Sequence, residues 1–366
     1  MADQRLEKLA EILIHYSLEI KPGDQLEIRS NPLAQELALL AYKEAVQSGA
    51  HVLNTMSLQD GEELFYKYAT NDQLDYVSPV RKMITETFDA ILVIGAEYNT
   101  RSLSAIDPQR ISRHRKAYSE LTKTYLTRSA NLELRWCYTE FPTYASAQEA
   151  DMSLSDYQEF VYQAGYLNEP DPVSLWRKEG ERQKELIGWL MGKEIVELKG
   201  KNVDMSFSIK DRKFKEADGK YNFPDGEIFT GPVENSANGW IRFSYPAIFQ
   251  GQEVIDVELW FENGQVVKES ASKGQELLTS SLNTDPGARF IGEWGIGTNY
   301  GIKNFTKNIL FDEKIGGTIH LALGSGYPET GSKNESAIHW DMLCDMADSE
   351  INIDGKNFYK DGKFSV

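Results

Sequence analysis

The 366-residue sequence predicts an α/β and α+β architecture: an amino-terminal parallel-sheet α/β domain followed by a strand-rich mixed domain that carries the candidate site. Three observations predict it. Helical and strand patterns alternate through the first part of the chain, and β-hairpin dipeptides, Asn263-Gly264 and Asp354-Gly355, punctuate the last part. The length also exceeds what a single small core requires. These place domains at 1–195 and 196–366.

The elements follow in order. "MADQRLEKLAEILIHYSLEI" spaces Leu6, Leu9, Ala10 and Leu13 along one helical face between charged residues, so it reads as an amphipathic helix and lacks a signal peptide's continuous apolar centre. A strand near 24–30, a helix over 32–48, a strand near 51–57 and further helix lead to "AILVIGA" at 90–96. That run has the length of a buried strand and is too short to span a bilayer. A basic helical segment over 106–124 precedes a strand at 132–139, and the βαβα rhythm argues for a parallel sheet with helices on both faces. Helices at 154–168 and 172–192 come next, the second with Leu186, Trp189 and Leu190 on one face. Strands and hairpins then dominate, interrupted by a short helix over 273–282.

Composition removes several function classes. Against 39 Lys and Arg stand 56 Asp and Glu, a net charge of −17 that repels phosphate backbones and anionic lipid, so neither nucleic acid nor a membrane is expected as a partner. Cys137 and Cys344 are far apart and form neither a disulfide framework nor a CxxC pair, which suits a cytoplasmic protein. "GEWGIGTNYG" has GxGxxxG spacing and a poor helix start after it, unlike a dinucleotide loop. No GxSxG elbow and no HExxH helix occur.

Metal chemistry has better candidates, all in the second domain. His320 in "GGTIHLALG" and His339 in "AIHWDML" lie in apolar, strand-like surroundings where an imidazole requires a partner. On a strand, residues i and i+2 share a face, so His339 and Asp341 project together while Trp340 turns away. Taken alone, the commoner reading of such a pair is a core histidine bonded to a carboxylate. Glu227 in "FPDGEIFTGP" and Glu293 in "FIGEWGIGTN" supply further carboxylates beside glycines that permit close approach, although each alone reads more often as a solvated turn acid. Together these O and N donors suit two divalent ions, zinc, cobalt or manganese before calcium. The remaining histidines, His15, His51 and His114, read as structural or solvated.

In this order, "PDGEIFTGP", "GEWGIGTN", "LFDEKIGGTIHLALGSGYPETG" and "IHWDM" resemble the thermophilic aminopeptidase (aminopeptidase T) family of two-metal metallopeptidases. The resemblance implies Glu227, Glu293, His320, His339 and Asp341 as metal ligands and Tyr327, in "GSGYPETG", as a catalytic residue. It also brings Glu313 of the "FDE" segment into the metal environment, as ligand or proton shuttle; an exposed acid beside Asp312 and Lys314 is the competing reading. Two divalent ions, peptide substrates with a free amino terminus and a homodimer with its site facing an internal cavity are further implications. The activity expected is hydrolysis of amino-terminal residues by metal-activated water. A two-metal amidase or dipeptidase acting on another substrate, or a metal-poor non-catalytic relative, stays open at this point.

Overall fold

In the computed structural model, which describes residues 3–249 and 251–366, the chain divides into two compact units. One runs to Val173 and includes Gly219–Pro224; the other comprises Ser174–Asp218 and Asp225–Val366.

The first unit is built on four parallel strands, β1 (Gln25–Ser30), β2 (His51–Met56), β3 (Ala90–Gly95) and β4 (Arg135–Glu140), in the order β2-β1-β3-β4, with the short strand Asn222–Phe223 beyond β4. Parallel neighbours need crossover connections, and the helices between the strands supply them. The apolar run in β3 is buried almost throughout, as a central strand covered on both faces must be. The opening helix, Gln4–Glu11, buries Leu6, Leu9 and Ala10, and the Asp3 side chain caps it by accepting from the Arg5 N–H; such a cap contributes about 1 kcal/mol. Two expectations shift locally. The segment at 106–124 is two helices, Pro108–Ala117 and Ser119–Ala130, and β4 begins at Arg135 because Leu132 takes a left-handed backbone angle (φ 57°) that no strand continues.

The second unit contains an eight-stranded antiparallel sheet. Its order is Gln265–Ser270, Glu258–Glu262, Asn238–Arg242, Val203–Ser208, Ile195–Gly200, Ser349–Ile353, Lys356–Lys360 and Lys363–Phe364. Asn263 and Gly264 (φ 49° and 85°) and Asp354 and Gly355 (φ 50° and 73°) make the two tight hairpin turns. Positive φ at both central residues gives a turn twist that matches the strands. Asp361-Gly362 makes a third turn of the same kind, between the last two strands.

A second antiparallel sheet has five strands: β5 (Lys215–Ala217), β6 (Glu227–Thr230), β7 (Ile291–Gly297), β8 (Thr318–Gly324) and β9 (His339–Asp345), in the order β9-β8-β7-β6-β5. One face of this sheet is apolar. Ile228, Trp294, Ile296, Ile319, Leu321, Leu323, Trp340, Met342 and Cys344 join one hydrophobic core with Val196, Leu198, Met205, Phe207, Ile241 and Leu259 of the larger sheet. Leu186 and Leu190 of the helix Pro172–Leu190 close the same core. By strand alternation, every intervening side chain is sent to the opposite face.

Candidate metal centre

That opposite face carries the candidate residues. Glu227 is the first residue of β6, Glu293 lies in β7, His320 in β8, and His339 and Asp341 in β9. The strand register places each long polar side chain opposite a small residue: Glu227 faces Gly297, Glu293 faces Ala322, His320 faces Gly295, Asp341 faces Ala322 and His339 faces Gly324. Directly opposed Cβ atoms lie only about 5 Å apart, so glycine and alanine leave the volume into which the imidazoles and carboxylates lean. A Cβ added at Gly295 would stand 2.1 Å from Cε1 of His320. At the entry to β6, Gly226 adopts φ 125°, and a Cβ there would come within 2.6 Å of the Asn299 side chain. Asn299 donates to the Asp225 carbonyl at 2.9 Å and Thr298 N–H to the Gly226 carbonyl at 2.9 Å, which fixes the turn that presents Glu227.

The five side chains converge. His320 Nε2 lies 3.3 Å from Glu227 Oε2 and 3.7 Å from Glu293 Oε1; His339 Nε2 lies 3.3 Å from Glu293 Oε2 and 3.4 Å from Asp341 Oδ2. Glu293 thus stands between the two imidazoles, one oxygen toward each. His339 Nδ1 is 2.7 Å from the Ser325 carbonyl, an oxygen that can only accept, so this nitrogen carries the proton and Nε2 is turned to the cluster. Trp340, 2% exposed, points into the core and stacks on Phe249 at 4.6 Å.

Glu313 follows the short helix Ile309–Asp312 and is not the exposed acid of the competing reading: its side chain is only 17% exposed and it pairs with Lys314. It groups with His320 and Asp341, just as Glu227 and Glu293 group with His320, and Glu293 with His339 and Asp341. Within each group the potential ligand atoms lie within 4.8 Å of one another. Tyr327 leads into the turn Pro328–Thr330, with its ring edge-on to His339 at 5.3 Å and to Phe229 at 5.5 Å.

Sequence reasoning missed Lys314. It is completely buried, its Nζ bonds to Glu227 Oε1 at 2.8 Å and to Glu313, and Asp225 Oδ1 is 3.8 Å away. The signal was three adjacent charges, Asp312, Glu313 and Lys314, inside the otherwise apolar "ILFDEKIGG", which a solvated surface turn does not need.

Burial and mutual charge set the protonation of this cluster. Burial pushes the Glu227 carboxyl up to about 8 against the pull of Lys314, and burial likewise raises Glu313. Burial also disfavours charge on Glu293, but the His320 and His339 imidazoles facing its two oxygens outweigh it and hold that carboxyl below its usual range. For the imidazoles burial works toward the neutral ring. The surrounding carboxylates prevail, carrying His320 to about 9 through Glu227 and His339 to about 12 through Asp341. Asp341 is held at about 2, chiefly by His339 against its own burial. Lys314, desolvated but enclosed by Glu227, Glu313 and Asp225, stays well above its ordinary value. Partial desolvation of its hydroxyl, together with the nearby Glu293 and Asp341 carboxylates, raises the Tyr327 phenol, which therefore keeps its proton.

The donor chemistry fits divalent cations. Glu227 Oε2, both ring nitrogens of His320 and Asp341 Oδ1 are buried without a hydrogen-bond partner. Each such orphan costs about 1–3 kcal/mol, and here they share one small volume. A cation bound there would satisfy Glu227 Oε2, Asp341 Oδ1 and the His320 ring nitrogen that faces them.

Comparison with known proteins agrees with this chemistry. The thermophilic metalloprotease (M29) family profile matches residues 2–364. The chain belongs to that family. This metalloprotease chain is 28% identical to Aminopeptidase 2 of Geobacillus stearothermophilus, over 99% of its own length and 95% of the relative's. It is 24% identical to Aminopeptidase T of Thermus thermophilus, over 98% and 96%. The solved structure of wild-type AmpT from Thermus thermophilus superposes with a TM-score of 0.86 at 22% identity, covering 99% of both chains, and so shares the metalloprotease chain's fold. Membership establishes a peptide-bond hydrolase that uses divalent metal. Among the described residues no helix is long and apolar enough to cross a membrane.

Proposed function

We propose that this metallopeptidase is an aminopeptidase that removes amino-terminal residues from peptides with a free α-amine, using two divalent ions, zinc, cobalt or manganese. Catalysis belongs to the strand-rich domain, 196–366 in the division made at residue 195. Glu227, Glu293, His320, His339 and Asp341 would hold the ions, with Glu293 presenting one oxygen to each imidazole. The observation that carries the reading is the set of orphaned ligand atoms gathered on one sheet face. Charge favours two ions over one. With both imidazoles neutral, as metal ligands must be, the carboxylates Glu227, Glu293, Glu313 and Asp341 outnumber Lys314 by three charges, more than one divalent cation neutralises.

When bound, the ions supply Lewis acidity, lowering the pKa of a water and polarising the scissile carbonyl. The chain's own groups do the rest. Tyr327, protonated and beside His339, donates to the oxygen on which negative charge develops. Glu313, next to His320 and Asp341, accepts the proton from the attacking water and passes it to the departing amine. Lys314 fixes the Glu227 and Glu313 carboxylates. The acidic cluster favours the cationic α-amine of a peptide and gives an amino-blocked peptide no such attraction. We further propose a cytoplasmic homodimer.

The test compares aminoacyl p-nitroanilides with their N-acetyl counterparts, alongside metal content, before and after chelation. The free-amine substrates should be cleaved with about two equivalents of metal bound, the blocked ones should not, and chelation should abolish cleavage. Equal cleavage of both forms would mean an amidase of another class. Full activity in the chelated, metal-free protein would sink the metal assignment.

A further inference from the structure

Beside the ligand cluster lies a cavity of about 150 Å³ whose wall includes His339 and Asp341. Most of the remaining wall is apolar: Ile248 and Phe249 from the strand Ala247–Phe249, Phe305, Ile309 at the start of the helix Ile309–Asp312, and Leu343. His339, Asp341 and Leu343 form an i, i+2, i+4 row on one face of β9, and Trp340 from the other face also lines the cavity, which therefore lies along this edge strand. Two of its walls are braced, Phe249 by stacking on Trp340 at 4.6 Å and Phe305 by stacking on Tyr245 at 4.9 Å. Its two other charged lining residues are already engaged. Lys307 pairs with Glu253 at 3.2 Å, and Asp312 Oδ1 accepts from the backbone and hydroxyl of Thr306 at 2.7 and 2.8 Å. Neither is left to select a charged side chain.

An apolar cavity of this volume, about 150 Å³, is large enough for a benzene ring. We propose that it receives the side chain flanking the scissile bond and selects for a phenyl or branched aliphatic group; this rests on the aminopeptidase reading. A peptide bond held at His339 and Asp341 has its neighbouring side chain at the mouth of this cavity. Burying that side chain withdraws apolar surface from water, a gain that glycine cannot make.

Two substrate series locate the side chain: X-p-nitroanilides vary the residue that supplies the α-amine, and Ala-X amides vary the residue after the cleaved bond. In the series that uses the cavity, kcat/KM for Leu or Phe should exceed that for Gly by about tenfold or more. Ile309→Trp, at a position that is 45% exposed and so tolerant of change, should fill the cavity and erase most of that ratio; Phe305→Ala should shift it toward bulkier side chains. Metal content should stay the same. A ratio near one in both series, or a ratio that survives both variants, overturns the proposal. Calorimetric binding of leucinamide and glycinamide to the zinc-loaded protein gives an answer independent of turnover. If no aminoacyl substrate is cleaved, the aminopeptidase reading fails, while leucinamide binding that Ile309→Trp weakens still supports the cavity assignment. Where the X-p-nitroanilide series is the one that responds, equal binding of the two amides, or leucinamide binding that Ile309→Trp leaves intact, counts against it.

Discussion

Gly295 and Lys314 do more for the candidate centre than their residue types advertise. Gly295 is the floor beneath His320, so Gly295→Ala must push the imidazole aside. We expect that variant to fold and to bind zinc at least about tenfold more weakly, a loss near 1.4 kcal/mol, read by competition with a chelating dye. Wild-type affinity would show that His320 does not need that space. Lys314→Met keeps the length of the side chain and removes the buried ammonium that Glu227, Glu313 and Asp225 face. Leaving buried carboxylates unpaired costs about 3–5 kcal/mol, so the metal-free variant should melt far below wild type. Bound metal should recover part of the difference, because it restores positive charge to the same oxygens; a melting gap unchanged by zinc would contradict this account.

At the scale of elements, alternation along β7, β8 and β9 explains why one sheet serves as both core and site. "TIHLALG" sends Ile319, Leu321 and Leu323 inward and His320 outward, and "HWDML" does the same with Trp340 and Met342 against His339 and Asp341. A one-residue slip of β9 would exchange these faces, so the buried Trp340 also fixes the register of the ligands. Elsewhere, Arg289 clamps Glu269 near the end of Gln265–Ser270 through two bonds of 3.0 and 3.2 Å. The Arg289 hydrogen bonds, stronger than the opposing effect of burial, hold the Glu269 carboxyl below its usual range. A depressed acid stabilises the fold above its unfolded pKa, and the contribution is lost as pH falls through the lower folded value. Glu269→Gln should therefore cost about 1 kcal/mol near pH 7 and progressively less below about pH 4. A cost that is constant down to strong acid would mean that the clamp does not act through charge.

For the molecule as a whole, the orphaned donors make metal binding and stability one question. Ions that bind only the folded chain stabilise it by about 2.7 kcal/mol at a hundredfold excess over Kd. Chelation should lower the melting temperature measurably, and added zinc should restore it. An identical melting curve in both conditions would leave the orphaned atoms unexplained.

Much of this was legible in the amino-acid order. The period-2 patterns, the Asn-Gly and Asp-Gly turns and the apolar "AILVIG" strand are local signals, because turn angles and strand faces follow from residues close in sequence. Convergence is not local. Residues 227 and 341 meet only because β6 to β9 pair in one register, and sequence spacing contains no information about that pairing distance. The same holds for Lys314, whose burial against Glu227 arises 87 positions away along the chain, and for Gly295, a glycine like many others until His320 is laid over it. The sequence by itself determined which side chains face which way along each strand; the tertiary structure alone decided which of them share a volume too small and too dry for uncompensated charge.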